Sequence, residues 1–149
     1  MKANHSLLLL TLILFLSAAV RLYALEPAYQ YEPHVITLTG TLKSRIYPGA
    51  PNYESVKKGD RPNKVWLIRL PRSISMDQGP EPALFERETG IREIHVILTD
   101  LKGESILKQH KGETVTLTGT IFHAHTIHHP LPLLMDVQNF ELQTPKRPK

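Results

Sequence analysis

Strict alternation of apolar and polar residues marks two stretches of the chain that are near copies of each other. Residues 35–42 read VITLTGTL and residues 114–121 read TVTLTGTI. A period of two is typical of a β-strand with one buried face, and threonine is favoured on the pleated surface. Each stretch carries a glycine, Gly40 or Gly119, where a bulge or a sharp bend is expected. The pattern therefore predicts two curved strands.

Three further strands and one short helix follow from the same kind of patterning. The additional strands are predicted at residues 64–70, 91–99 and 133–142. A helix is predicted at residues 104–110, just before Gly112. Residues 43–63 and 72–90 are rich in proline and glycine and are predicted as loops. Three strands, a helix and two strands are the element order of an OB-fold, a small partly open β-barrel, with a small sandwich or an SH3-like barrel as alternatives.

The N-terminal segment has the layout of a secretory signal peptide. Lys2 precedes an apolar run at residues 7–20, and small residues follow as far as Ala24. The run is shorter than the roughly 20 apolar residues that a membrane-spanning helix needs. We therefore expect a signal peptide at residues 1–24, cleaved after Ala24 or after Ala19, and an exported protein. An uncleaved N-terminal anchor is the alternative.

The rest of the chain is expected to form a single domain. Residues 25–33 are predicted as a linker, residues 34–143 as an all-β, OB-like five-stranded barrel, and residues 144–149 as a disordered basic tail. The chain of 149 residues contains no cysteine. This excludes disulfides, thiolate catalysis and cysteine-based zinc sites. Export without cysteine favours a bacterial periplasmic protein over a eukaryotic secreted one.

The charge of the chain gives no reason to expect a nucleic-acid partner. The formal net charge is +4 at pH 7, but removal of the signal peptide leaves 16 basic and 14 acidic residues. The remaining excess sits in the basic tail. An OB-fold that binds nucleic acid needs aromatic residues on its second and third strands, and Trp66 is the sole aromatic residue predicted there. Nucleic-acid binding is therefore not expected.

The first of two compositionally unusual loops supplies five candidate binding residues. In an OB-fold, the loops after the first and fourth strands flank the ligand-binding face, and here they are residues 43–63 and 123–132. The candidates in the first loop are Tyr47, Asn52, Tyr53, Ser55 and Asp60. Asparagine, serine and aspartate favour hydrogen bonds to their own turns, so these side chains are expected to tie the loop backbone. A Ser-His-Asp triad is not expected, because the chain has no nucleophile elbow there.

The second loop carries four histidines within seven residues: His123, His125, His128 and His129. On a strand, His123 and His125 would point the same way, about 7 Å apart. Imidazole suits zinc, copper and nickel, and His128 or His129 could add a third ligand. The sequence thus predicts either a divalent metal site, for Zn or Cu, or a structural cap in which the histidines bond to the loop backbone.

Three segments together, residues 47–60, 66–70 and 117–129, resemble an uncharacterised family of small exported bacterial proteins, catalogued as a domain of unknown function. The resemblance extends from about Val35 to Leu142. It implies export and a small β domain, and it implies no particular activity.

The leading hypothesis is a non-enzymatic periplasmic binding module. Its ligand, a divalent metal ion or a periplasmic protein, would meet the face between the two loops. The alternative is a periplasmic inhibitor or immunity-type protein that inserts one of these loops into a partner enzyme. A metal-dependent hydrolase that uses the histidines is a third reading. No stable membrane anchor is expected after signal cleavage.

Overall fold

The computed structural model describes residues 26–98, 101–126 and 128–143. The predicted signal peptide, residues 1–24, and the predicted basic tail, residues 144–149, lie outside the described residues. Within the described part of the chain, no helix is long and apolar enough to cross a membrane.

Strands dominate the described chain. They are β1 (Ala28–Tyr29), β2 (Val35–Pro48), β3 (Pro62–Met76), β4 (Glu88–Ile97), β5 (Thr114–His123) and β6 (Leu133–Leu142). One α-helix, α1, spans Leu101–Gln109, and one 3-10 turn spans Val56–Lys58. The predicted all-β class with one short helix is confirmed.

The five long strands close into a ring. β2 pairs antiparallel with both β3 and β5, and β5 pairs antiparallel with β6. β6 runs parallel to β4, which pairs antiparallel with β3 and so completes the circle. Closure pairs the edges that an open sheet would leave exposed. The predicted OB-like five-stranded barrel is confirmed, with the short β1 added in parallel to β3.

The interior of the barrel is filled by the alternate residues of each strand. Fully buried members include Leu42, Ile68, Ile94, Leu117, Ile121 and Met135. α1 adds Leu107, which is 3% exposed, whereas its neighbour Ile106 is 37% exposed. The expectation that both residues face inward therefore holds for Leu107 only.

The two repeated strands each depend on their glycine for a close backbone approach. A Cβ atom at Gly40 would lie 2.5 Å from the carbonyl oxygen of Arg69, and one at Gly119 would lie 2.0 Å from that of Asp136. The register of β5 against β6 shifts between Thr118 and Gly119. The predicted bulge is confirmed at Gly119.

The loop after β2 is shorter than the proline and glycine pattern predicts. β2 continues to Pro48 and β3 begins at Pro62, and these two prolines face each other at the end of the ladder. The predicted loop at residues 43–63 is thus reduced to residues 49–61. Prolines are tolerated at strand ends because the ladder needs no N–H there.

β3 is also longer than predicted, because Pro71 does not end it. The strand runs on to Met76, and its register against β4 shifts between Arg69 and Ile74. Pro71 lies in this irregular stretch, where its missing N–H costs no ladder hydrogen bond. The loop predicted at residues 72–90 is therefore shorter as well, since β4 already begins at Glu88.

Residues 26–33, predicted as part of a linker, pack against the barrel. β1 pairs with the end of β3, and Tyr31 is 2% exposed in the core. Glu26 accepts a hydrogen bond from the Ser75 hydroxyl, and hydrogen bonds from Ser73 and Ser75 lower the pKa of Glu26. The segment belongs to the folded domain because its tyrosine ring supplies apolar area that the core buries.

Candidate functional site

Three side chains at one end of the barrel form a potential metal site. Glu86, Glu88 and His123 each offer one ligand atom, and these atoms lie within 4.8 Å of one another. No other group of three or more His, Asp or Glu side chains with this spacing occurs in the described part of the chain. We call these three residues the Glu-Glu-His cluster.

The fold brings the cluster together at the meeting point of two strand ends. Glu88 opens β4 and His123 closes β5. β6 lies between them, parallel to β4 and antiparallel to β5, so the start of β4 and the end of β5 fall at the same end of the barrel. Residues 35 positions apart in sequence thus become neighbours.

Glu86 is positioned by the N-terminal segment. The hydroxyl of Tyr31 donates a hydrogen bond of 2.6 Å to the backbone carbonyl of Glu86. The rings of Tyr31 and Phe85 pack with their centroids 5.2 Å apart. The loop that carries Glu86 is therefore anchored on a buried side chain.

The hydrogen bonds of His123 determine what its second nitrogen can do. Nδ1 lies 3.0 Å from the backbone carbonyl of Ala124, which can only accept, so Nδ1 carries a proton. In a neutral imidazole, Nε2 then presents a lone pair, and it lies 3.1 Å from Oε1 of Glu88. A lone pair facing a carboxylate is repulsive unless a proton or a cation lies between them. An Nδ1–H bond to a backbone carbonyl is also the usual way in which a metal-ligating histidine is oriented.

The carboxylates make the surroundings of the cluster electronegative. Burial, followed by the negative charges of Glu88 and Glu86, raises the pKa of Tyr31 to about 12. Two carboxylates and one neutral imidazole carry a formal charge of −2, which matches a divalent cation. Imidazole with carboxylate ligands suits zinc and other first-row transition metals. Three protein ligands leave a coordination position open.

The four histidines predicted as one set each lie in different surroundings. His123 joins the Glu-Glu-His cluster. His125 lies beyond the end of β5 and is exposed, with its ring centroid 6.1 Å from that of His123. Nδ1 of His128 lies 2.6 Å from the hydroxyl of Tyr53. His129 packs on His95 of β4, with ring centroids 5.6 Å apart. The alternation that would align His123 with His125 stops because the strand ends at His123.

His95 and His129 form a half-buried pair on the outer side of the barrel. His95 lies in register between Leu67 of β3 and Leu134 of β6, both fully buried. Nδ1 of each histidine is buried without a hydrogen-bond partner. Burial, together with His129, lowers the pKa of His95 to about 4. His95 is therefore neutral near pH 7.

Among the five candidates from the first loop, Asp60 holds the loop backbone. The carboxylate of Asp60, which is 4% exposed, accepts hydrogen bonds from the backbone N–H groups of Asn52, Glu54 and Ser55 at 2.7–2.9 Å. These bonds, with that from Ser55 the largest cause, lower the pKa of Asp60. Of the three side chains predicted to tie the loop backbone, that of Asp60 does so, while Asn52 and Ser55 contribute backbone N–H groups to these bonds.

The two tyrosines among these candidates lie apart from each other. Tyr47 belongs to β2, where its hydroxyl accepts a hydrogen bond of 2.9 Å from Arg45. Tyr53 meets His128 across the gap between the loops. The first-loop candidates and the histidine loop are thus joined through Tyr53.

Glu86 and Glu88 were not among the residues singled out from the sequence. They lie in a stretch rich in proline and glycine, and 35 residues separate Glu88 from His123. The available signal was the run Glu86-Arg87-Glu88 at the start of a strand. Glu86 lies just before β4 and Glu88 is the first residue of that strand, so the run brings two carboxylates to the same end of the barrel.

A comparison with curated proteins gives no match. Residues 93–141 match the model of a domain of unknown function, DUF4431. Of the stretches that carry the family resemblance, residues 117–129 lie inside this segment, and residues 47–60 and 66–70 lie outside it.

Proposed function

We propose that this protein is an exported β-barrel module that binds a divalent transition metal ion, zinc in the first instance, through Glu86, Glu88 and His123. The observation that carries the proposal is the position of Nε2 of His123. Its partner nitrogen is committed to the carbonyl of Ala124, and Nε2 faces the Glu88 carboxylate at 3.1 Å. When the imidazole is neutral, a cation between the two atoms turns a repulsive contact into two ligand bonds.

The geometry requires only small adjustments to hold an ion. Tetrahedral ligands at about 2.1 Å from zinc lie about 3.4 Å from one another. The three ligand atoms here all lie within 4.8 Å. The exposed side chain of Glu86 can rotate, while the hydrogen bond from Tyr31 holds its backbone.

Partial exposure of the cluster supports binding and exchange of an ion as its role. The side chains of His123 and Glu88 are 21% and 24% exposed. An ion held there stays in contact with solvent, so it can enter and leave without unfolding of the barrel. We propose a binding function without catalysis, and the proposal of export rests on the residue pattern of segment 1–24.

Zinc titration of the untagged protein by calorimetry tests the proposal. The double variant Glu88→Gln, His123→Ala should weaken zinc binding by on the order of 100-fold, because it removes two ligands. The matched control is His110→Ala, Glu113→Gln. That pair has the same types of side chain, with Nδ1 of His110 at 3.2 Å from Glu113, but lacks a third ligand group. Equal affinity in both double variants would contradict the proposal.

A triple variant separates this site from the set predicted by sequence spacing alone. Replacement of His125, His128 and His129 by alanine leaves the Glu-Glu-His cluster intact. Zinc affinity within about threefold of the parent protein is expected, since none of the three is a ligand in the proposed site. Loss of binding in this variant, with retention in Glu88→Gln, would assign the metal to the histidine loop instead.

The rigidity of residues 49–61 favours a protein partner as a second candidate function. Asp60 fixes the loop through three backbone hydrogen bonds, and Val56 at its tip is 41% exposed. A preorganised loop loses little conformational entropy on binding, as suits an inhibitor or immunity-type protein. Replacement of Val56 by aspartate should abolish capture of a stoichiometric periplasmic partner. Capture of the partner that is unaffected by this change would show that the loop is not the inhibitory element.

A further inference from the structure

A second site lies on the wall of the barrel, away from the Glu-Glu-His cluster. A cleft of about 400 Å³ opens there. Its polar lining consists of Lys43, Arg69, Arg92, Thr39, Thr41 and Thr114. No carboxylate lines this cleft, and none of the three cluster residues contributes to it.

The cleft exists because β2 changes partners at this point. Thr41 is the residue at which β2 pairs both with Thr114 of β5 and with Arg69 of β3. Beyond Arg69, β3 leaves β2, and its register against β4 is interrupted as far as Ile74. Gly40 lets the two backbones approach closely before they diverge. Four strands thus contribute side chains around one opening.

The cationic groups of the cleft are largely uncompensated. Among the described residues, Lys43 and Arg92 have no carboxylate partner within ion-pair distance. Arg69 lies 3.8 Å from Glu93, and that carboxylate holds Arg45 more closely, at 2.8 Å. Three positive charges therefore converge on a space with little negative charge of its own.

We propose that this cleft binds an oxyanion of the phosphate class, carried by a larger molecule. Arginine presents paired N–H donors that match phosphate oxygens, and lysine adds a mobile point charge. The hydroxyls of Thr41 and Thr114 make no hydrogen bond to another described side chain and are available as further donors. The cleft is larger than a bare phosphate ion, so it has room for the group to which the phosphate is attached.

The test is binding of pyrophosphate to the metal-free protein. Calorimetry measures the affinity, and the amide NMR signals of Thr41 and Thr114 report where pyrophosphate binds. The variant Lys43→Gln, Arg92→Gln removes two cleft charges. Its matched control, Lys57→Gln, Lys58→Gln, removes two charges from the exposed 3-10 turn. Pyrophosphate affinity should fall about tenfold or more in the cleft variant and stay within about twofold in the control. Glu88→Gln, His123→Ala should bind pyrophosphate like the parent, which keeps this result separate from the metal proposal.

Two results would overturn the inference. One is an absence of signal changes at Thr41 and Thr114 on addition of pyrophosphate. The other is an equal loss of affinity in the cleft variant and its control, which would mean that the overall positive charge of the protein, and not the cleft, attracts pyrophosphate. Co-sedimentation with phosphatidylglycerol-containing vesicles, compared with pure phosphatidylcholine, then identifies the source. Charge-dependent sedimentation that the cleft variant loses indicates a lipid headgroup, and pyrophosphate binding without sedimentation indicates a soluble phosphate compound.

Discussion

The hydroxyl of Tyr53 and Nδ1 of His128 share a hydrogen bond of 2.6 Å, with the two rings edge to face at a centroid distance of 4.9 Å. This contact joins the loop after β2 to the loop after β5. Its two residues are 75 positions apart in sequence. Tyr53 meets His128 from a backbone with φ of 60°, a left-handed conformation uncommon outside glycine and asparagine. The backbone N–H of Tyr53 is held by the carbonyl of Gly49 at 3.0 Å.

Replacement of Tyr53 by phenylalanine should loosen the histidine loop. The change removes the hydrogen bond to His128 and leaves the ring contact, so a loss of about 0.5 kcal/mol in the free energy of unfolding is expected. Amide exchange of residues 124–129 should accelerate. Tyr47→Phe is the matched control, because its hydroxyl binds only Arg45 on the strand surface. Equal exchange rates in the two variants would contradict a role for Tyr53 in joining the loops.

Replacement of Asp60 by alanine should release the loop after β2. The backbone N–H groups of Asn52, Glu54 and Ser55 lose their acceptor, and their exchange should accelerate on the order of tenfold. Hydrogen exchange measured by NMR checks this, and Asp77→Ala, in the loop after β3, is the control.

The pKa of Asp60 adds a pH dependence to the same test. Hydrogen bonds to the carboxylate lower its pKa below 3.8 in the folded protein. The stabilisation is therefore present above pH 3.8 and is lost as the pH falls through the lowered pKa. The three amides should stay protected at about pH 5, and loss of their protection already at that pH would contradict this assignment.

The element order and the barrel could be read from the sequence because each rests on a local pattern. The alternation predicts that Leu38 and Leu117 lie on the buried face of their strands. The predicted bounds of the last strand are the observed ones, Leu133–Leu142. Proline predicts a strand end wrongly where the neighbouring strand makes no hydrogen bond at the proline position. Pro71 looked like a strand end, but only the ladder shows that its N–H position is unpaired.

The candidate site could be predicted only in part, because it depends on pairing between distant strands. His123 stood out through the density of histidines around it. Glu86 and Glu88 did not stand out, because no local sequence pattern shows that the start of β4 lies beside the end of β5. The contact of His129 with His95 likewise depends on how one loop folds back over the barrel wall.

Substitution of the buried glycines by alanine should destabilise the barrel in the order of their backbone clearances. A Cβ at Gly119 would lie 2.0 Å from a backbone oxygen, one at Gly40 2.5 Å, and one at Gly49 3.0 Å. Backbone atoms in a closed barrel cannot move far, so Gly119→Ala should cost about 4 kcal/mol and Gly49→Ala about 1 kcal/mol. Urea unfolding measures the three values. A Gly49 variant as unstable as the Gly119 variant would break the relation between clearance and stability.

The half-buried His95 should make the protein less stable in mild acid. The pKa of His95 is lowered from 6.5 to about 4, first by burial and then by His129. The unfolded chain takes up a proton near pH 6.5, and the folded protein resists it until about pH 4. The stability contributed by neutral His95 is thus complete above pH 6.5 and is lost as the pH falls toward 4.

Replacement of His95 by leucine should remove this part of the pH dependence. Leucine matches the neighbouring Leu67 and Leu134, and it takes away a buried nitrogen that has no hydrogen-bond partner. Thermal unfolding at about pH 7.5 and about pH 5 should show a smaller fall in Tm for His95→Leu than for the parent protein. His125→Leu is the control, because His125 is exposed and should leave the fall unchanged. If Tm falls by the same amount in both variants between these pH values, His95 is not the source of the acid sensitivity.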